Sequence, residues 1–281
     1  MEQFDLNDVL VAGKITRLWG RGGDVFARLG VSTNGSLVEK DDTKLSYVTL
    51  RFPLGVVAGK PVTLHEGDFA RVTGFLTQNQ IQVSLRRFLD TAGVDGFLDN
   101  IPQDDRPAWH AVQFKRQSAV LNVLALEMIS PIGDVAAKNG ETQDNNQVTL
   151  EGIVARRWDY PRGEQVDRFV RVAIYDRFTC TAEDEINPAN GLPRRMAHYV
   201  NVILPNGERE IEVKARQRIR VTGALRDRGQ RVSLHQAILE TGQSQLAELI
   251  QRCPDTDRLH EITAQWESLH VTAESLIVYS R

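Results

Sequence analysis

The sequence predicts a mainly β protein: two tandem five-stranded barrels, each followed by a partly helical segment. Three observations predict it. The chain contains itself twice, each copy is a series of short runs in which apolar residues alternate, and each copy opens on a strand with a glycine in its middle. Val9-x-Val11-x-Gly13-x-Ile15-x-Arg17-x-Trp19 lines up without a gap on Val148-x-Leu150-x-Gly152-x-Val154-x-Arg156-x-Trp158. Arg71-Val72-Thr73-Gly74-x-Leu76 returns as Arg220-Val221-Thr222-Gly223-x-Leu225, and Val83-Ser84-Leu85 as Val232-Ser233-Leu234. Between them, Phe26-x-Arg28-Leu29-x-Val31 answers Phe169-x-Arg171-Val172-x-Ile174. Tyr47-Val48-x-Leu50-x-x-Pro53-x-Gly55 answers Tyr199-Val200-x-Val202-x-x-Pro205-x-Gly207. Blocks kept in order, with only loop lengths changing, mark a duplicated domain; the period is too long for a solenoid unit.

Each element follows from its pattern. In the first copy the expected strands carry Val9, Val11 and Ile15; Ala27, Leu29 and Val31; Val48, Leu50 and Phe52; Ala70, Val72 and Gly74; and Ile81, Val83 and Leu85. The second copy repeats them through Val148 to Val154, Val170 to Ile174, Val200 to Leu204, Ile219 to Gly223, and Val232 to Leu234. Gly13 and Gly152 suit a bulge or sharp bend. Asn79 and Arg228-Gly229 read as hairpin tips between the last two strands. Five short, curled strands with a bent first strand suggest a closed barrel of the OB kind. Behind each barrel, Gln245–Ile250 and Leu259–Leu269 read as helical, and Val120–Ile129 is open between strand and helix. The domain reading is residues 1–130, a polar linker at 131–146, and residues 147–281. The second copy's extra length falls in the loop from Thr179 to Arg195.

Composition narrows the function. The 281 residues suggest about two domains, and 41% hydrophobic with 25% charged residues is ordinary globular usage. No apolar run is long enough for a membrane span, and the acidic start lacks the build of a signal peptide, so a cytoplasmic, nucleoid-associated protein is expected. Cys180 and Cys253 stand at non-equivalent places and imply no disulfide framework. The net charge of −3 is unevenly spread: residues 1–90 hold 11 basic and 10 acidic side chains, residues 147–240 hold 16 and 13, and the excess acid lies in the trailing segments. Binding of a polyanion would therefore rest on local placement of charge.

That placement is visible on the strands. If the alternating apolar residues point inward, Phe26, Arg28, Tyr47, Arg51 and Arg71 point outward in the first copy, with Phe169, Arg171, Tyr199 and Arg220 in the second; Arg156 extends a basic rim. Aromatic rings are platforms for bases and arginines neutralise phosphate. The competing reading is that a loop, a trailing segment or a partner subunit covers these rings. Trp19 and Trp158 have the parity of core residues and read as core or rim packing. No phosphate-binding glycine loop, zinc-protease helix, Cys-x-x-Cys or nucleophile elbow occurs, and no histidine falls at the same place in both copies. No enzyme, metal or cofactor is therefore expected.

The ordered blocks, including Gly67-Asp68 through Arg71-Val72-Thr73-Gly74-x-Leu76, resemble bacterial single-stranded DNA-binding proteins over residues 8–88 and 147–239. The resemblance implies an OB fold, sequence-tolerant binding of single strands in replication, repair or recombination, and, as in some members, two chains associating into four OB folds. It places Tyr47 and Tyr199 where the family carries a stacking tryptophan. The end, Ile277 to Arg281, departs from the family's acidic, Phe-terminated tail, which puts the usual recruitment of partner enzymes in doubt. RNA binding and a protein-assembly role are the alternatives.

Overall fold

The computed structural model describes residues 4–32, 45–129, 146–162, 165–178, 181–186, 193–204, 212–239, 241 and 244–279. In chain order the elements are β1 (Asn7–Arg21), β2 (Asp24–Ser32), β3 (Leu45–Phe52), the short hairpin β4 (Val56–Val57) and β5 (Lys60–Pro61), β6 (Phe69–Ser84), α1 (Leu85–Ala92), α2 (Arg106–His110) and β7 (Gln113–Met128). The second copy supplies β8 (Asn146–Arg162), β9 (Gln165–Ile174), the hairpin β10 (Thr181–Ile186) and β11 (Pro193–Arg195), β12 (His198–Ile203), β13 (Arg218–Ser233), α3 (Leu234–Leu239), α4 (Ser244–Gln251), α5 (Thr256–Glu261) and β14 (Thr263–Val278).

Two closed five-stranded barrels result, running β1-β2-β3-β7-β6 and back to β1, and β8-β9-β12-β14-β13 and back to β8. Their interiors are the alternating residues expected from sequence: Val11, Ile15, Leu29, Val48, Leu50 and Val72 in one, Leu150, Val154, Val172, Val200, Val202 and Val221 in the other, all essentially without solvent contact. Closure brings backbones close. A Cβ on Gly74 would lie 2.0 Å from the Asn122 carbonyl oxygen, and one on Gly13 would lie 2.0 Å from that of Gly30, so both positions require glycine. An asparagine ties each barrel, buried in the first and half-buried in the second: Asn7 bonds the carbonyl and N–H of Leu76 (both 2.9 Å), and Asn146 does the same to Leu225 (2.9 and 2.8 Å).

The identity of the fifth strand departs from expectation. β6 runs through Asn79 without a turn and β13 runs through Arg228-Gly229, so neither place is a hairpin tip. The Val-Ser-Leu blocks end these strands by starting helices. The Ser84 hydroxyl accepts from the Arg87 N–H (3.3 Å) and the Ser233 hydroxyl from the Gln236 N–H (3.1 Å), which is N-cap chemistry. The true fifth strands are β7 and β14, lying parallel to β3 and β12 with Leu50 opposite Leu121 and Val202 opposite Val271. The alternation of β7 is hidden because Val120, Leu121, Asn122 and Val123 are all buried. Within Leu259–Leu269 the helix ends at Glu261 and the rest is strand.

Contacts group the chain into two compact units whose boundaries fall inside β6, β7, β13 and β14. The first holds both barrels. There β1 pairs antiparallel with β8, Val9 opposite Val148, Asn7 opposite Leu150 and Val11 opposite Asn146. Val9 thus faces its own counterpart, and the pairing is symmetric about that point. The seam is locked by polar groups: Asp5 and Glu151 both bind Arg218 (2.9 Å for Glu151), and Asn7 donates to Asp176 (2.7 Å). The second unit, residues 79–118 and 228–268, joins the trailing segments of both copies around one core that includes Phe88, Trp109 and Phe114 with Leu234, Leu249 and Leu259. Phe88 meets Trp266 edge-on (5.7 Å) and Arg252 pairs with Asp105 (3.0 Å). The expected linker falls outside the described residues, apart from Asn146, where β8 begins. No helix among the described residues is long and apolar enough to cross a membrane.

Candidate nucleic-acid interface

On each barrel the first three strands present three rows of outward side chains. In the first copy the rows are Lys14, Gly30 and Tyr47; Arg17, Arg28 and Thr49; and Trp19, Phe26 and Arg51. In the second they are Ile153, Ala173 and Tyr199; Arg156, Arg171 and Asn201; and Trp158, Phe169 and Ile203. The second and third rows hold arginine and tryptophan because each first strand carries a bulge, between Ile15 and Arg17 and between Val154 and Arg156. An extra residue shifts the alternation by one, so every side chain beyond it changes face. Trp19 and Trp158, which have core parity by simple alternation, are thereby placed on the outer wall, half-buried, and Arg17 and Arg156 with them.

Ring geometry is the same in both copies. Trp19 lies nearly parallel to Phe26 (centroids 5.7 Å apart, 8° between planes) and Trp158 to Phe169 (5.3 Å, 8°). The expectation that Phe26 and Phe169 stand open to solvent fails: they are only 7% and 9% exposed, being on the outer wall but flanked by the tryptophans. The rings that keep more exposure are Trp19, Trp158 and Tyr47, all half-buried, and Tyr199, 38% exposed. The two tryptophans are the residues that strand alternation alone misses; the cue is the Arg-x-Trp that follows the glycine strand in both copies.

Charge is arranged around the rings. Arg17 faces Arg28 directly across the ladder, and Arg156 faces Arg171. Like charges placed opposite each other are unfavourable, by roughly 0.2–1 kcal/mol. Burial, and then the neighbouring Arg156 cation, pull the Arg171 guanidinium below its ordinary value, although an arginine remains charged at neutral pH. Arg171 is held by Asn201 Oδ1 (3.1 Å), and the Arg28 guanidinium sits over the Tyr47 ring (4.5 Å). The Arg17 and Arg156 guanidinium groups lie near the tryptophan rings, each at 5.8 Å. Arg51 is tied to Asp24 (2.7 Å). The Leu54 N–H and then Arg51 hold the Asp24 carboxyl below the ordinary carboxylate value.

The structure therefore brings Phe26, Arg28, Tyr47 and Arg51 onto one patch, and Arg156, Phe169, Arg171 and Tyr199 onto its counterpart. Arg71 and Arg220 stand apart, on the opposite flank of the first strand, across from Ala12 and Glu151; Arg71 bonds Glu127 (3.2 Å). Among the described residues no group of three or more His, Cys, Asp or Glu is placed to hold a metal ion.

No protein-family model matches the chain, and no curated protein matches it. Among solved structures it is similar to the single-stranded DNA-binding protein of Thermus aquaticus. The alignment to a deletion mutant of that protein spans 99% of this chain and 96% of the other at 13% identity with a TM-score of 0.49. The alignment to the wild type spans 99% and 95% at 12% identity with a TM-score of 0.48.

Proposed function

We propose that the protein binds single-stranded DNA with little sequence preference, laying the strand across the outer walls of β1–β3 and β8–β9–β12. One observation carries this reading: an opposed arginine pair beside a parallel Trp–Phe pair, built identically on both barrels. The copies have diverged around it, with Lys14 answered by Ile153, Thr49 by Asn201 and Arg51 by Ile203. The repulsion of the arginine pair is relieved by a bound phosphate, and the ring beside it offers a stacking surface about one nucleotide away. Stacking contributes about 1–3 kcal/mol per base, so the four partly exposed rings suffice for tight binding without a large net charge. In this reading the protein sequesters exposed strands during replication, repair or recombination and performs no chemistry on them.

The test is titration of the full chain with labelled oligo-dT at about 50 mM salt, with matched duplex and oligo-U as competitors. Binding at low micromolar protein, competed weakly by duplex, supports the reading; no binding of oligo-dT overturns it. Stronger competition by oligo-U reassigns the same face to RNA.

A further inference from the structure

The turn after β3 holds a leucine in a backbone conformation that does not favour it. Leu54 has φ +53° and ψ +18°, the left-handed region, and its side chain is 78% exposed. A large apolar residue gains nothing from either condition. Two other non-glycine residues among those described have positive φ, Ala58 and Arg216, and neither is a large apolar one. Nor is the turn loose. The Leu54 N–H donates to Asp24 Oδ1 (3.0 Å), the Gly55 carbonyl accepts from Val62 (2.9 Å), and Asp24 also holds Arg51. Arg51 stands opposite Phe26 in the row that includes Trp19. One carboxylate thus fixes both a face cation and the backbone that displays Leu54.

Strain kept at an exposed apolar residue points to use of that side chain. In the second copy the same place in the sequence, Pro205-Asn206-Gly207, carries asparagine, a residue that enters the left-handed region readily. Chemistry for relieving the strain is therefore available to this chain, and the first copy keeps leucine. A single leucine offers too little area to hold a folded protein partner, whose interface is anchored by clusters of buried side chains. It is the right size to press against one base beyond the row of Arg51, Phe26 and Trp19.

We propose that Leu54 is a base-contacting residue at the end of the first barrel's nucleic-acid face, held in a strained turn to reach the strand. The inference rests on the single-strand-binding reading above. It is tested in the full chain with Leu54→Asn, Leu54→Gly and Leu54→Met, measuring thermal midpoint and affinity for a labelled oligo-dT and for an abasic strand of equal length. Asn and Gly variants bind oligo-dT about three- to tenfold more weakly, while their midpoints rise by about 2 °C because the turn is relaxed. Met retains affinity, and the loss in the Asn variant vanishes on the abasic strand. Should Leu54→Asn bind oligo-dT as tightly as the wild type, Leu54 does not contact a base; should its midpoint fall, the turn is not strained. If instead the wild type itself binds no oligo-dT, the failure belongs to the binding reading and is distinguished by that control.

Discussion

Trp19 and Trp158 show how much a single inserted residue decides. Both lie on the outer wall only because the bulge before them reverses the alternation, and each is stacked beside a phenylalanine that keeps its plane fixed. A held ring loses little freedom when a base settles on it, so each should contribute about 1–2 kcal/mol, roughly tenfold in affinity. The chain has four tryptophans, and Trp109 and Trp266 belong to the other compact unit. Trp19→Ala with Trp158→Ala should therefore abolish fluorescence quenching by oligo-dT and weaken binding about a hundredfold, with emission from the other two retained. Quenching that persists in the double variant would take the platforms off these strands. Asp176 is decided by a different balance. Burial pushes its carboxyl up, but hydrogen bonds from His198 and Asn7 outweigh burial and leave it below the ordinary value of 3.8. The stability it adds is present above that value and is lost as pH falls through the lower folded one. Unfolding measured from pH 5 down to about pH 2.5 should show Asp176→Asn less stable at the upper end and flatter below; parallel curves would mean the carboxylate charge has no part in the seam.

For the strands, closure is the demanding step, and it rests on backbone contact. A methyl on Gly74 meets a carbonyl oxygen and a carbonyl carbon of β7, which cannot swing aside as a side chain can. Gly74→Ala should cost about 3 kcal/mol in unfolding free energy, within the range for overpacking. Gly20→Ala, whose added carbon stands 3.8 Å from the Asp24 carbonyl oxygen, should change it by less than about 0.5 kcal/mol. Equal losses in the two variants would show that closure does not depend on that approach. The same elements show what a sequence displays. β3 is legible because a half-buried strand alternates cleanly, and β2, buried over most of its length, because the duplication lets its pattern be checked against its twin. β7 was obscured where both its faces are covered. The Val-Ser-Leu blocks read as strand because the alternation runs up to Ser84 and Ser233, while the signal that ends it, a hydroxyl capping a helix, depends on three residues further on. The outer-wall tryptophans are hidden because the bulge falls past the glycine that suggests one, between Ile15 and Arg17 and between Val154 and Arg156. Arginine and tyrosine positions on β2 and β3 lie on strands that pair with each other without a register shift, so alternation alone gives their side.

At the level of the whole chain, the β1–β8 pairing reproduces within one polypeptide what an isologous contact does between two subunits: equivalent segments meet antiparallel, Asn7 facing the counterpart of Val11 and Val11 the counterpart of Asn7. The two walls are thus equivalent by descent and unequal in chemistry. The first carries Lys14, Arg17, Arg28 and Arg51 in its three rows, the second Arg156 and Arg171, with Ile153 and Ile203 where Lys14 and Arg51 stand. Arg51 is already engaged by Asp24, so the first wall offers one to two more cations to a phosphate chain. For single strands each phosphate neutralised contributes about −0.7 to the slope of log affinity against log salt. Disabling one wall at a time, by Trp19→Ala with Arg28→Ala or by Trp158→Ala with Arg171→Ala, leaves the other to bind a short oligo-dT. The first wall, acting alone, should show a slope steeper by about 0.7–1.4 than the second, and the second should lose less of its affinity as salt rises. Stacking is insensitive to salt, so the second wall would dominate at high ionic strength and the first at low. Equal slopes would mean that Lys14 and Arg51 never meet the strand, and would remove the electrostatic distinction between the copies while leaving their shared rings in place.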